Sequence, residues 1–375
     1  MNHRLKLILL CILLALTQAG CYDQINLENA RMTLVLGIDL DNQNNLIVYS
    51  TSPVFNREAK KRTSVFSAKG NTVRESRQSF DAMTPGYTIG GKVQVVLLGK
   101  KLLEHGNWFP LFDAIYRDAK LTVTSRIVAV DGPIESIVVS EASELSRLSQ
   151  YLSLLVESNY EKGLTVPTTI QDFHRQMYDK GMTASIAEIK KEKEVMVKGI
   201  AILDKHAKHR TSLNVKESLL FHLLQAKETK QVSLTIPVGS NPDQEKNKML
   251  VNKRVSFLVK NASRQVKTDY RNGRFVFTIP LSLQIALSEV VFPIDIEKQK
   301  KQLEKMIADT IQTQMLHVIR KCQMVKTDPF EMGKYVRAYH YPIWKKVQDR
   351  WPETFANAEV HVPVQVEIIG RGLTQ

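Results

Sequence analysis

The sequence predicts an α+β fold of two or three domains, and three features carry that expectation. Of the 375 residues, 43% are hydrophobic and aromatic side chains recur along the whole length, enough to build real cores. Strand-like alternation and helix-like spacing take turns along the chain. After residue 250 long strands gather around an Asn272-Gly273 dipeptide, a strong hairpin signal, and a long amphipathic helix follows.

The first element is a targeting segment. Arg4 and Lys6 precede an uncharged apolar run of ten residues, Leu7 to Leu16, and then Thr17-Gln18-Ala19-Gly20-Cys21. A bilayer-spanning helix needs about 20 apolar residues, so this run fits a signal peptide and is too short for a permanent anchor. Ala19-Gly20-Cys21 matches the end of the bacterial lipobox, in which the cysteine sulfur receives diacylglycerol before cleavage makes that cysteine the first residue. Gln18 stands where the lipobox prefers leucine. We therefore expect a lipoprotein signal peptide over residues 1–20 and lipid attachment at Cys21; the alternative is an ordinary secreted protein cut near Ala19.

Charge and cysteine content narrow the surroundings. The chain has 52 Lys+Arg and 38 Asp+Glu, a balance of +14; loss of Arg4 and Lys6 with the signal leaves 50 against 38, or +12. On an exported, lipid-tethered chain the nearest polyanion is the membrane headgroup layer rather than nucleic acid. Of Cys11, Cys21 and Cys322, processing removes the first and acylates the second. One thiol remains, which builds neither a disulfide nor a cysteine-rich zinc site. Cys322 falls among the apolar positions of a predicted helix and reads as a buried, inert thiol.

Residues 32–41 and 46–52 read as two strands joined by the Asn42-Gln43-Asn44-Asn45 turn. Asp39 and Asp41 fail the calcium-loop pattern, because Asn44 and Ser50 stand where Gly and Glu are needed, and they read as turn acids. The basic run 57–62 reads as solvated surface, 64–69 as a strand and 72–83 as an amphipathic helix. Gly86 to Lys92 has phosphate-loop spacing, yet Val93 replaces the Ser or Thr that holds magnesium, and a strand, not a helix, follows. Nucleotide binding is not expected.

Residues 101–105 and 108–119 read as helical, with Leu111, Phe112, Ile115 and Ala119 on one face; 121–130 is a strand. Pro133 starts a short helix over 134–139, and 142–157 carries the stripe Leu145, Leu148, Leu152 and Leu155. Thr169 with Asp172 resembles a capping box opening a helix over 170–180. The polar stretch 183–194 is the expected main boundary. Beyond it, 195–203 and 232–238 read as strands with a helix over 218–225 between them. His206 and His209 sit among Lys205, Lys208 and Arg210, which repel a cation, so this reads as a solvated loop rather than a metal site.

Residues 254–260 are a strand; 264–270 and 274–287 form the hairpin around Asn272-Gly273. Asp295 caps the long helix, with Ile296, Leu303, Ile307, Ile311, Met315 and Val318 on one face and Lys298, Lys300, Lys301 and Lys305 elsewhere, a solvated face or a contact for acidic lipid. Asp328-Pro329 opens a helix over 330–339, Tyr341-Pro342 interrupts it, and 343–351 faces Trp344, Val347 and Trp351 to the core. The closing strand, 359–369, alternates Val360, Val362, Val364, Val366 and Ile368, with Pro363 marking an edge or a bulge.

Together these motifs resemble the Ger(x)C family, the lipoprotein C subunits of spore germinant receptors, over nearly the full length. Gly20-Cys21-Tyr22-Asp23 and Leu36-Gly37-Ile38-Asp39 are similar to the family's Cys-Trp-Asp and Gly-Ile-Asp patterns, with Tyr22 for tryptophan. Lys92-Val93-Gln94-Val95-Val96-Leu97-Leu98-Gly99 and Arg117-Asp118 resemble its central motif, with Gly91 where histidine is common. Thr327-Asp328-Pro329-Phe330, Gly333, Pro342, Trp344, Trp351, Phe355 and Gly370 resemble its C-terminal signature, the most specific match.

The resemblance implies three α+β domains with mixed or antiparallel sheets, placed at 21–194, 195–252 and 253–375. It implies the outer face of the spore inner membrane, and partnership with a multi-spanning A subunit and a transporter-like B subunit in nutrient-triggered germination. The expected function is thus a non-catalytic, lipid-anchored receptor subunit with no cofactor, no metal and no nucleic acid partner. The alternative is a lipid-anchored solute-binding protein of a transporter, which calls for two doubly wound lobes around a cleft. An anchored enzyme ranks third, since no nucleophile motif, paired metal ligands or cofactor loop is found.

Overall fold

The computed structural model describes residues 3–4, 30–54, 63–83, 87–118, 122–139, 147–225, 232–238 and 253–370. The signal segment with Cys21 and the basic run 57–62 lie outside the described residues, apart from residues 3–4. Helices and mixed and antiparallel sheets make up the molecule, as the α+β expectation has it.

The N-terminal half is built on one eight-stranded sheet. Its strands are β2 (Val35–Leu40), β3 (Leu46–Pro53), β4 (Thr63–Lys69), β6 (Val95–Gly99), β7 (Arg126–Val130), β8 (Ser185–Lys191), β9 (Val195–Leu203) and β10 (His209–Asn214), in the order β10-β9-β8-β7-β6-β2-β3-β4. The central four, β2, β6, β7 and β8, run parallel. Every residue of β6 is buried, as a strand covered on both faces requires. Antiparallel hairpins complete both edges. A small parallel pair, β1 (Ala30–Met32) and β5 (Tyr87–Ile89), lies outside this sheet.

Helices cover both faces. Leu36, Ile38, Val96, Leu98, Ile127 and Ile186 form one core, under α1 (Val73–Met83), α2 (Lys100–His105), α3 (Asp113–Tyr116) and α6 (Ile170–Tyr178). Val35, Leu97, Val128, Val130 and Ile189 form the other, under α4 (Glu135–Val138) and α5 (Leu148–Glu161). The Thr169 capping box is present with both reciprocal bonds. The helix expected over 108–119 is instead a 3₁₀ turn, Phe109–Phe112, leading into α3.

The polar stretch at 183–194, expected as the main boundary, is ordered structure. It contains β8 and the tight turn into β9, and the two pair antiparallel in the large sheet. Its acid Glu188 is buried and held by Lys198 Nζ at 3.0 Å, so a charge that reads as surface belongs to the sheet. Lys198 also reaches Asp131 at 2.9 Å, and Lys100 reaches the same carboxylate at 2.9 Å. The hydrogen bond from Lys100 holds the Asp131 carboxyl down at about 2. The segment 195–252, expected as a middle domain, distributes its described residues. β9 and β10 extend the large sheet, α7 (Val215–Gln225) packs between the halves, and β11 (Ser233–Pro237) joins the C-terminal sheet.

The C-terminal half has a four-stranded sheet in the order β11-β12-β15-β17 and a three-stranded one in the order β13-β14-β16. These strands are β12 (Arg254–Arg264), β13 (Lys267–Arg271), β14 (Arg274–Thr278), β15 (Leu281–Val290), β16 (Glu359–His361) and β17 (Val364–Gly370). Asn272 and Gly273 take φ of 50° and 77°, the doubly left-handed turn that their dipeptide favours. The long strand expected over 274–287 is two strands broken at Pro280, and the closing strand is two broken at Pro363. Both breaks coincide in space: β14 pairs with β16 before them and β15 with β17 after them, all parallel. Proline lacks the N–H that a continuing ladder needs, so the two chains change sheets together.

The long helix α8 (Ile296–Met324) lies across β17. Asp295 accepts the Lys298 N–H at 3.2 Å, and of the predicted stripe Leu303, Ile307, Ile311, Met315 and Val318 are buried while Ile296, in the first turn, is half-buried. At about 1.5–3 kcal/mol per buried aliphatic side chain, this stripe is a main source of stability in this half. Three short helices, α9 (Met332–Tyr339), α10 (Tyr341–Val347) and α11 (Trp351–Ala356), close the core with Trp344, Val347, Trp351 and Phe355 inside.

Candidate functional site: the Asp328 junction

Past the end of α8 the chain turns inward at Thr327 and Asp328, both fully buried. Thr327 anchors the turn by donating from both N and Oγ1 to the Cys322 carbonyl, at 3.0 and 3.1 Å. Asp328 then accepts three hydrogen bonds on its carboxylate. Met332 N–H donates to Oδ1 at 3.1 Å, and Gly333 N–H and Trp351 Nε1 donate to Oδ2 at 3.0 and 2.8 Å. The first two are orphan amides of α9, so Asp328 caps that helix from four residues upstream. Burial pushes its carboxyl up to about 6, against the pull of the three donors.

The same residues meet the N-terminal half. The Asp328 carbonyl accepts the Thr183 N–H at 2.9 Å, and Gln225 on α7 donates to the Pro329 carbonyl at 3.2 Å. Gly333 packs directly on Gly181: a Cβ on Gly333 would lie 2.5 Å from the Gly181 Cα and 2.8 Å from Trp351 Nε1. Only glycine fits there. Around the contact, Lys180 pairs with Asp349 at 2.7 Å and Arg337 with Asp179 at 3.3 Å. Beside it runs a polar crevice of about 230 Å³ lined from both halves, including Asp172, Arg175 and Gln176 on one side and His222, Gln225 and Glu331 on the other.

Asp328 is enclosed and fully bonded, and its geometry serves to hold chain segments together rather than to react. The other signature residues do similar work. Asp39, expected as a turn acid, is 6% exposed; its Oδ1 accepts from Leu40 N–H at 2.9 Å and reaches Leu102 N–H at 3.4 Å, at the start of α2. Gly99, which ends the central motif, leaves room for it, since a Cβ there would sit 1.9 Å from the Asp39 Cγ. Asp41 does behave as a turn acid, accepting from Gln43 and Asn45 N–H and pairing with Lys69. Asp118 holds Arg77, which also donates to the Thr88 carbonyl.

Cys21 lies outside the described residues. Cys322 is buried, and burial pushes its thiol up to about 12, which removes it as a nucleophile near neutral pH. His209 lies on β10 beside Ser212 Oγ at 2.9 Å, rather than in a loop. Among the described residues no group of three or more His, Cys, Asp or Glu is placed to hold a metal ion. Lys298 and Lys300 on α8 are engaged by Asp295 and Glu304. Sequence reasoning missed Gly181, Glu188 and Lys198. For Lys198 the signal was a lysine inside an otherwise apolar strand; Gly181 was read only as a helix stop.

Two family models match the chain: the spore germination protein N-terminal domain over residues 23–191, and the spore germination B3/GerAC-like C-terminal domain over residues 198–372. This chain belongs to the Ger(x)C germination family. Spore germination protein B3 of Bacillus subtilis strain 168 is 24% identical over 378 residues, covering 96% of each chain. GerQC of Bacillus cereus is 23% identical, covering 98% of this chain and 99% of that one. The crystal structure of the GerBC protein matches with a TM-score of 0.59 at 18% identity, over 89% of this chain and 97% of that one, and shows the shared fold. These relatives are spore germination proteins, and both matched domains meet at Asp328 and Gly333.

Proposed function

We propose that this chain is the non-catalytic, lipid-anchored C subunit of a spore germinant receptor. The signal segment 1–20 is cleaved, diacylglycerol on Cys21 holds the body to the outer face of the spore inner membrane, and the body meets the A and B membrane subunits in nutrient-triggered germination. The observation that carries this reading is an export start ending at Cys21, followed within ten residues by a folded body of the germination family. Among the described residues no helix is long and apolar enough to cross a membrane, which fits attachment through lipid. At about 0.8 kcal/mol per buried methylene, two acyl chains give stable attachment where one is marginal.

The experiment is fractionation of cells lacking the A and B subunits, with mass analysis of the mature N-terminal peptide. The wild-type chain is expected in the membrane fraction with a diacylglyceryl group on Cys21, and Cys21→Ala in the soluble fraction. A Cys21→Ala chain that still pellets fully with membranes in those cells contradicts the tether. The solute-binding alternative loses ground on architecture, because the C-terminal half has two small sheets and one long helix rather than a second doubly wound lobe.

A further inference from the structure

Three exposed tyrosines gather at one corner of the C-terminal half. His340 joins α9 to α10; its Nε2 lies 3.1 Å from the Thr268 carbonyl on β13, and its ring lies 6.2 Å from Phe275, itself 4.8 Å from Tyr270. Tyr339 and Tyr341 flank this histidine at 69% and 52% exposure, and Tyr270 is 39% exposed. None of the three hydroxyls has a partner among the described residues.

The corner is also basic. Arg271 and Arg274 are the register pair that closes the β13–β14 hairpin, and among the described residues only Arg271 has an acid, Asp269 at 2.5 Å. Like charges set directly opposite are unfavourable in a hairpin, so an external anion beside Arg274 relieves this pairing. Lys345 lies 5.7 Å over the Tyr341 ring. Exposed tyrosines and long cationic side chains meet at one hairpin end, Tyr270 on one face of the ribbon and Arg271 and Arg274 on the other, and this matches the boundary of a bilayer, where tyrosine sits at headgroup depth and lysine and arginine reach the phosphates.

We propose that this tyrosine–arginine corner docks onto an anionic phospholipid surface. The inference rests on the Cys21 tether, which keeps the corner within reach and makes a weak attraction sufficient. It gives the molecule two membrane contacts far apart. β1, where the tether enters, packs beside β3, while α7 and the C-terminal half pack against β9 and β10, five and six strand spacings or about 24–29 Å across the sheet. A chain held at both places lies along the membrane in one orientation instead of swinging from its N-terminus, and presents one fixed side to its neighbours.

The test uses the full lipidated chain on vesicles with brominated acyl chains, either pure phosphatidylcholine or phosphatidylcholine with phosphatidylglycerol. Trp108, Trp344 and Trp351 are 3%, 2% and 0% exposed, out of reach of lipid, so Tyr341→Trp adds a single surface reporter. Its emission is expected to be quenched on the anionic vesicles and to stay bright on the neutral ones, with Arg271→Glu and Arg274→Glu abolishing the quenching. A reporter that stays bright on both, or responds only when the other receptor subunits are added, overturns the proposal in favour of a protein-facing corner. Flotation reports the anchor separately. Failure to float on neutral vesicles contradicts the Cys21 reading, while quenching on anionic vesicles still decides the corner.

Discussion

The two halves use the same device at different depths. In the N-terminal half Asp39, near the end of β2, meets the first turn of α2; in the C-terminal half Asp328, four residues past α8, meets the first turn of α9. Each is a signature aspartate serving as the cap of a helix that has no side-chain cap at its own N-cap position. Their settings differ. Asp39 keeps slight exposure, and although burial raises its pKa, the Leu40, Leu102 and Ile134 amides and the nearby Lys101 pull it back. Asp328 is sealed, takes its third donor from the Trp351 side chain rather than from backbone, and passes its own carbonyl to Thr183 across the junction. One aspartate organises a half; the other also joins the halves.

The sharpest way to break this contrast is Asp328→Ala. It strands three buried donors at about 1–3 kcal/mol each, less whatever relaxation recovers, so we expect a loss of about 3–5 kcal/mol in urea unfolding. Asp39→Ala should cost about 1–2 kcal/mol by the same measurement, the range of a lost helix cap. Equal costs would erase the distinction.

Titration sharpens it further. Asp328 has a folded pKa of about 6, above its usual value of 3.8, so the folded state binds the proton more tightly. Its contribution to stability is fully present below about pH 4 and is lost as pH rises to about 6. His209 runs the other way, because burial lowers its pKa and its contribution is lost as pH falls. The wild-type profile minus that of Asp328→Asn cancels His209 and should fall between pH 4 and 6, then level off. A flat difference would mean that the three donors offset burial completely. The smallest effect belongs to the rim: Lys180→Ala removes an exposed bridge to Asp349 and should change stability by less than about 1 kcal/mol.

Local signals were legible wherever a segment settles its own conformation. The Thr169 capping box, the Asn272-Gly273 turn, the α8 stripe with its Asp295 cap, and the strand at 195–203 all stand as the sequence reads. What stayed hidden depends on partners far along the chain. β8 read only as a polar boundary because Glu188 finds Lys198 only once β9 folds back, and His209, at the start of β10, read as loop because its pairing with β9 supplies what its own composition lacks. Asp39 looked like a turn acid because its helix begins some sixty residues later. Pro363 suggested a local irregularity and Pro280 was passed over inside a continuous strand, and only their coincidence in space reveals two strands switching sheets together. Of the junction, Asp328 and Trp351 were legible as signature and core, whereas Gly181 was not, since a close backbone approach leaves no trace in one of its two sequences.

The central structural claim is that the Asp328 junction makes the two halves one cooperative body. Differential scanning calorimetry of wild type beside Gly333→Ala tests it most directly, because the added Cβ falls on Gly181 and prises the junction apart while leaving both sheets intact. The account predicts one unfolding transition for wild type and two for the variant, the lower one reporting whichever half depended on the contact. Two transitions in wild type, or one unshifted transition in the variant, would contradict it.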